Sequence, residues 1–157
     1  METFHADFAL SHPVSRAPSL QSCREVEHLS TTRVARVLLV EDDDEMRNLL
    51  ARYLRRAGYD VTEAHDGIAA LVRLGETINR RGFSTFDLVI SDIRMPGPDG
   101  LNLVAELRSC DWATPVILIT AFGTADTHDK ARRLGAEILD KPLDLEQLER
   151  AVKRLLA

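Results

Sequence analysis

The stretch FDLVISDIRMPGPDGL, residues 86–101, joins a buried-strand pattern to a charged end. Its apolar run at residues 88–90 is typical of a strand, and Asp92 follows almost at once. The Met-Pro-Gly sequence at residues 95–97 then interrupts regular structure, because proline and glycine break both helices and strands. Strand interiors rarely contain a carboxylate, so we expect the strand to deliver Asp92 to the rim of a sheet.

Short apolar runs of this kind alternate with amphipathic helical patterns along the chain. Apolar runs predict strands over 37–40, 59–64, 86–91, 115–119 and 136–139. Helical periodicity predicts helices over about 46–57, 68–78, 101–108, 125–134 and 145–156, with a loop around Arg80–Gly82. The alternation predicts an α/β fold, and the continuous runs in the first, third and fourth strands predict a parallel sheet covered on both faces.

Residues 1–33 lack such patterns and are rich in proline, serine and threonine, so we predict a flexible N-terminal extension there. Residues 34–157 are long enough for one domain with a single core. Hydrophobic residues make up 45% of the 157 residues and charged residues 29%, as is usual for a globular protein.

Bulk properties disfavour several classes of function. The net charge of −5 disfavours direct binding to nucleic acid or to an anionic membrane. No apolar run approaches the roughly 18 residues of a membrane span, and the N-terminus has no secretory-signal pattern. Cys23 and Cys110 are far apart and fit no metal or redox spacing. We therefore expect a reducing, cytoplasmic location.

Polar residues follow four of the predicted strands at the points where those strands end. The acidic run Glu41–Asp44 follows the first strand, Asp92 the third, Thr120 the fourth and Lys141-Pro142 the fifth. Because the carboxyl ends of parallel strands share one edge, where ligands bind in open α/β sheets, we expect these groups to converge.

The four carboxylates of residues 41–44 would repel an anion unless a cation were held between, which disfavours a bound flavin or nucleotide phosphate at that edge. Glu41, Asp42 and Asp92 would form a hard-oxygen site suited to Mg²⁺, and their mutual repulsion should raise at least one pKa. Lys141 and Thr120 would add an ammonium and a hydroxyl donor. Together these groups are the parts needed for phosphoryl transfer onto Asp92 as an acyl phosphate.

Four motifs make residues 34–157 resemble the receiver domain (CheY-like) of two-component response regulators. They are VLLVEDDDEMR at 37–47, VISDIRMPGPDGL at 89–101, ILITAF at 117–122 and LDKPLD at 139–144. The resemblance implies a flavodoxin-like (βα)5 fold, a doubly wound parallel five-stranded sheet of order 2-1-3-4-5.

The resemblance also implies a metal site. Asp92 would be the phosphoacceptor, and Asp42 would ligate Mg²⁺ directly. Glu41 would act through the water shell of the metal, and the backbone carbonyl of Arg94 would be a further ligand. Asp43 and Asp44, and likewise Asp99, have a simpler interpretation as residues that cap helices.

For the phosphoryl group, the resemblance implies that Thr120 binds and reports it and that Lys141 pairs with it. The bond between Lys141 and Pro142 is expected to be cis. The implied donor is a histidine kinase or a histidine phosphotransfer protein. The chain would catalyse only its own phosphorylation and slow dephosphorylation, and so would not be an enzyme in the usual sense.

The signal would pass to a downstream protein target or a separate output domain, without direct contact to nucleic acid or a membrane. The surface of helix four, strand five and helix five would bind partners and could also pair two copies of the chain as a homodimer. Two positions depart from the family pattern: Glu41 replaces a more usual aspartate, and Ile138 replaces the usual switch aromatic.

Two alternatives remain open at the level of sequence. A degenerate receiver would act as a docking module independent of phosphorylation, and Ile138 favours it slightly. A phosphatase of the haloacid-dehalogenase type also uses an aspartyl nucleophile, but it needs a second aspartate two residues later, where this chain has Arg94.

Overall fold

A computed structural model describes the backbone of residues 33–81 and 86–157, and the side chains of these ranges except those of 77–81. Arg33–Ala157 is one compact unit. The predicted N-terminal extension, apart from Arg33, lies outside the described residues. Within the described part of the chain, no helix is long and apolar enough to cross a membrane.

Five strands alternate with five helices, and all strand pairs are parallel. In chain order the elements are β1 (Arg36–Val40), α1 (Asp44–Arg56), β2 (Asp60–Ala64), α2 (Gly67–Arg81), β3 (Leu88–Asp92), α3 (Gly100–Ser109), β4 (Val116–Thr120), α4 (Ala125–Arg133), β5 (Glu137–Asp140) and α5 (Leu145–Leu156). The sheet order is β2-β1-β3-β4-β5. The predicted flavodoxin-like fold and strand order are confirmed.

The burial of each strand explains its place in the sheet. All residues of β3 and β4 are buried, and β1 is buried except at its first residue. The strands β2 and β5 keep exposed or half-buried positions. Continuous apolar runs therefore occupy the centre of the sheet, where helices cover both faces, and the more polar strands form its edges.

The two faces of the sheet support two separate hydrophobic layers. One layer packs α1 and α5 against the sheet through Leu50, Leu54, Leu148 and Val152, among others. The other layer packs α2, α3 and α4 through Ala70, Leu74, Leu103, Val104, Leu107 and Ala131. Because side chains alternate between the two faces of a strand, each strand contributes side chains to both layers. The position of a residue in the strand therefore decides which of the two layers it faces.

Several predicted boundaries differ from those of the structure by one to three residues, and three of the differences involve Asp92, Thr120 and the end of α2. Asp92 and Thr120 are the last residues of β3 and β4 rather than loop residues, because backbone pairing with neighbouring strands continues through them. The helix α2 runs to Arg81, where a loop around Arg80–Gly82 was predicted. Arginine is a good helix former, and no helix breaker precedes Gly82 at that end of the helix.

Aspartates cap the N-termini of α1 and α3, as the sequence predicted. Asp43 caps α1 by accepting a hydrogen bond from the backbone N–H of Met46 at 2.7 Å, and Asp44 lies in the first turn. Asp99 caps α3 by accepting from the N–H of Asn102 at 2.8 Å. Part of the acidic run therefore stabilises a helix N-terminus, which leaves Glu41 and Asp42 for other contacts.

Candidate functional site

The carboxyl ends of four parallel strands bring the predicted site residues to one edge of the sheet. Glu41 directly follows β1, Asp92 ends β3, Thr120 ends β4 and Lys141 follows β5. Since β1 and β4 both pair with β3, the ends of these strands surround Asp92. Residues up to 100 positions apart in sequence are neighbours here.

Three carboxylates lie close together around the end of β3. One side-chain oxygen each from Glu41, Asp42 and Asp92 lies within 4.8 Å of the others. Glu41 and Asp92 are almost completely buried, with 1% and 7% of their surface exposed, whereas Asp42 is exposed. Two carboxyl groups are therefore held inside the protein, and a third faces solvent.

Lys141 balances part of this charge. Its Nζ lies 2.7 Å from Oδ2 of Asp92 and 3.3 Å from Oε2 of Glu41, and the lysine side chain is largely buried. The backbone N–H of Lys141 also donates to the carbonyl of Thr120 at 2.7 Å, which fixes the lysine at the strand end. The Lys141-Pro142 bond is cis, as expected.

Burial and neighbouring charges shift the pKa values of Glu41 and Lys141. Burial raises the pKa of Glu41, the negative charge of Asp92 raises it further, and a hydrogen bond from Asp43 N–H and the charge of Lys141 only partly oppose them. Burial lowers the pKa of Lys141, but the hydrogen bond and charge of Asp92, with Glu41, outweigh it and leave that pKa raised. One carboxyl pKa is thus raised as predicted, with burial as the larger cause.

The backbone around Asp92 is held by local contacts. Oδ1 of Asp92 accepts from the N–H of Arg94 at 3.0 Å, and the Ser91 hydroxyl donates to the Asp92 carbonyl at 2.8 Å. Gly100 N–H donates to the Ile93 carbonyl at 2.9 Å, and a Cβ at Gly100 would lie 3.0 Å from the Ile93 Cα. The start of α3 therefore packs directly onto the backbone of residues 92 and 93.

Thr120 is also buried at this edge. Its Oγ1 accepts a hydrogen bond from the N–H of Phe122 at 3.2 Å, so the hydroxyl is tied to the loop that follows β4. Asp92 pairs with Ile119, the residue before Thr120. The role of Thr120 as a ligand of a phosphoryl group stays a prediction.

Arg47 is a site residue that the sequence did not single out. Its Nη1 donates to the backbone carbonyl of Glu41 at 2.9 Å, and its guanidinium also pairs with Asp44 and, at 3.6 Å, with Glu63. This cation holds the acidic loop onto α1 and β2. The only signal in the sequence was an arginine two residues after the acidic residues 41–45. Its role depends on contact with β2, which the spacing of residues does not reveal.

A second missed contact joins the two loops at the mouth of the site. The guanidinium carbon of Arg94 lies 4.5 Å from the ring centroid of Phe122, a cation–π arrangement. Phe122 is 64% exposed, a large apolar surface for a loop residue. The loop after β3 and the loop after β4 are therefore linked through the side chains of Arg94 and Phe122.

The donor set fits a divalent cation. Three carboxylates face one ammonium, which leaves a formal charge of −2 that a divalent cation would balance. Mg²⁺ prefers hard oxygen donors and usually keeps several bound waters, and the exposed side of this carboxylate cluster is open to water. The backbone of Arg94 lies at this site through its contact with Asp92, and its carbonyl as a metal ligand stays a prediction.

Comparisons with known proteins agree with this geometry. The family described as the response regulator receiver domain matches residues 37–153. The regulatory protein AtoC of Escherichia coli is 37% identical over 80% of this chain, and the response regulator receiver protein CpdR of Brucella abortus is 34% identical over 77%. This chain spans 26% of AtoC but 96% of CpdR.

Solved structures give the same result. The chemotaxis protein CheY4 of Vibrio cholerae is 31% identical with a TM-score of 0.65, and the match covers 78% of this chain and 99% of that one. The receiver domain of the hybrid histidine kinase CckA is 37% identical with a TM-score of 0.61, covering 78% and 100%.

Proposed function

This chain belongs to the family of response regulator receiver domains, and from that premise we propose that Asp92 accepts a phosphoryl group from a phosphohistidine donor. The observation that carries the proposal is the contact between the nearly buried Asp92 carboxylate and the Lys141 ammonium, 2.7 Å apart, beside two more carboxylates. A carboxylate held in this way has a fixed position. Its partner, the Lys141 ammonium, can shift its contact from the carboxylate to the transferred phosphoryl group.

Asp92 acts as the nucleophile. One of its oxygens attacks the phosphorus, the phosphorus–nitrogen bond of the donor breaks, and the imidazole leaves with its electron pair and takes up a proton. The Arg94 N–H holds Oδ1 at 3.0 Å, so Oδ2 is the oxygen that would attack once Lys141 turns toward the incoming phosphoryl oxygens. Positioning and charge neutralisation supply the catalysis.

Glu41, Asp42, Asp92 and the Arg94 carbonyl would hold Mg²⁺. When bound, the cation would neutralise negative charge on the phosphoryl oxygens. The protein's own contribution is to keep the Glu41 and Asp92 carboxyl groups buried beside Lys141, and to keep Asp42 at the solvent side where the ion enters.

The phosphorylated state would signal through a change of surface. A phosphoryl group of charge near −2 in this crevice favours a state in which the Thr120 hydroxyl moves toward it. We place the responding surface on α4, β5 and α5, where partners or a second copy of the chain would bind. Slow hydrolysis of the acyl phosphate would reset the switch, so the chain catalyses only its own phosphorylation and dephosphorylation.

The partners we propose are a histidine kinase or histidine phosphotransfer protein and, downstream, a protein target or a separate output domain, in the cytoplasm. AtoC supports an output domain, since this chain matches only 26% of its length. CpdR, matched over 96% of its length, supports a receiver without one.

Acetyl phosphate tests the proposal without a cognate kinase. Wild-type protein incubated with acetyl phosphate and Mg²⁺ is expected to gain one phosphoryl group in its intact mass, stable in acid and labile in base. Asp92→Asn should gain none. Asp99→Asn is the matched control, because asparagine also caps helices well and Asp99 holds α3 rather than a ligand. No adduct on the wild type would favour the docking module, which Ile138 supports.

A further inference from the structure

A histidine–aspartate pair lies at the end of β5, beside the site but outside its proposed chemistry. Nε2 of His128, on α4, is 3.3 Å from Oδ1 of Asp140, the last residue of β5. The side chains are 31% and 58% exposed. The pair ties the first half of α4 to the strand that ends one residue before Lys141.

The loop between β4 and α4 packs directly against this pair. A Cβ placed on Gly123 would overlap the Asp140 carboxylate and would lie 2.7 Å from Nε2 of His128. The same Cβ would lie 3.2 Å from the Thr120 methyl group. The backbone at Gly123 is therefore packed against both Thr120 and the paired side chains.

Thr120 is joined to the same loop by a hydrogen bond. Its Oγ1 accepts from the Phe122 N–H at 3.2 Å, so the hydroxyl cannot shift far without residues 121–124. That loop, in turn, packs against the His128–Asp140 pair at Gly123. Movement of Thr120 is thus linked to the pair through three consecutive contacts.

The pair lies on the face of β5 where the family pattern places an aromatic residue. Ile138 packs in the hydrophobic layer of α2, α3 and α4. Asp140, two residues later, faces the same side by strand alternation, and it is the register partner of Thr120. Ile138 has no polar group, whereas Asp140 gives this face a hydrogen-bonding group beside Thr120.

We propose that His128 and Asp140 form a latch, a positioning pair that holds residues 121–124 and Thr120 in the unphosphorylated arrangement. The inference rests on the proposed function, in which Thr120 moves toward the phosphoryl group. Opening the latch removes part of the free energy that favours the unphosphorylated state, so a phosphoryl mimic binds more tightly. Because the pair is largely exposed, the expected gain in affinity is about twofold to fivefold.

Beryllofluoride, a tetrahedral mimic of the phosphoryl group, provides the test. Its affinity for the full chain with saturating Mg²⁺ is measured by isothermal titration calorimetry for the wild type, His128→Ala and Gly123→Ala. Gly123→Ala separates the pair by a different route, since its Cβ would overlap the Asp140 carboxylate and lie 2.7 Å from Nε2 of His128, while its closest distance to Thr120 is 3.2 Å. Both variants are expected to bind about twofold to fivefold more tightly, and His128→Gln, which keeps an N–H donor, should return to the wild-type value.

Two further measurements separate a latch from a general loss of packing. His65→Ala is the matched control, because His65 also lies 3.3 Å from an aspartate, Asp66, but in the loop before α2; its affinity should equal that of the wild type. Without beryllofluoride, amide hydrogen exchange over residues 121–133 should be faster in His128→Ala, with exchange in α1 unchanged.

The outcomes distinguish the latch from the function on which it rests. If the wild type binds beryllofluoride but His128→Ala and Gly123→Ala bind with the same affinity, the latch is wrong and the phosphoacceptor function stands. If neither the wild type nor any variant binds beryllofluoride, the phosphoacceptor function is wrong and the latch with it.

Discussion

Nζ of Lys141 lies 2.7 Å from Oδ2 of Asp92, although 49 residues separate them in the sequence. The same nitrogen is 3.3 Å from Glu41, 100 residues away. One ammonium therefore pairs with two buried carboxylates, which lie at the ends of two different strands. The balance of charge at this edge depends on that lysine as long as no metal ion is bound.

Replacing Lys141 tests this dependence. Lys141→Ala leaves Glu41 and Asp92 buried without their cation, and it is expected to lower the free energy of unfolding by about 1–3 kcal/mol in urea titrations without metal. Magnesium should restore part of the loss, since it supplies positive charge at the same place. Lys153→Ala removes an exposed pair with Glu149 and should have a much smaller effect. Equal losses in the two variants would contradict the proposed charge balance.

Magnesium binding is expected to stabilise the folded protein. At a free ion concentration ten times the dissociation constant, the free energy of unfolding should rise by about 1.4 kcal/mol, measured as a shift in thermal or urea unfolding. Glu41→Gln and Asp92→Asn should lose most of this shift, whereas Asp99→Asn should keep it. An undiminished shift in Glu41→Gln would place the ion elsewhere.

The raised pKa of Glu41 predicts a pH dependence of stability. Because the pKa is raised from its ordinary value of 4.5, Glu41 binds its proton more tightly in the folded than in the unfolded chain. Its contribution to stability is therefore present below 4.5 and is lost as the pH rises through the raised folded value.

Comparison with Glu41→Gln isolates this group from the other titrating residues. Without magnesium, the unfolding free energy of the wild type minus that of the variant should fall as the pH rises above 4.5. Magnesium affinity should change in the opposite direction and weaken toward low pH, since protons and the ion compete for the carboxylate. A difference that grows with pH would contradict the assignment.

Two glycines provide a matched test of the packing behind Asp92. A Cβ at Gly100 would lie 2.5 Å from the Asp92 carbonyl oxygen, so Gly100→Ala is expected to destabilise the protein by about 1–3 kcal/mol. Gly75, inside α2, has nothing within 4 Å of its added Cβ, and Gly75→Ala should stabilise by about 0.5–1 kcal/mol. The two effects have opposite signs, and urea titrations measure both.

The fold was predictable because its strongest signals are local. Three continuous apolar runs specify the buried central strands, and the helical stripes specify which elements cover them. The ends of β3 and β4 were placed one residue early, since Asp92 and Thr120 are polar and their strand pairing depends on neighbours. Polarity alone suggests a loop at such positions.

The candidate site was only partly predictable. Glu41 and Lys141 directly follow strands and Asp92 ends one, so the rule of shared strand ends is enough to bring them together. The contacts of Arg47 with β2 and of His128 with Asp140 involve side chains on separate elements. Such contacts depend on how helices are rotated against the sheet, which residue spacing leaves undetermined.

Chemical mapping of the phosphorylated residue is the most direct test of the central claim. After treatment with acetyl phosphate and Mg²⁺, borohydride reduces an aspartyl phosphate to homoserine, and peptide mass spectrometry locates the changed residue. We predict homoserine at position 92 in the wild type and none there in a sample without acetyl phosphate. Homoserine at another aspartate, or unchanged Asp92 in protein that carries a phosphoryl group, would contradict the account.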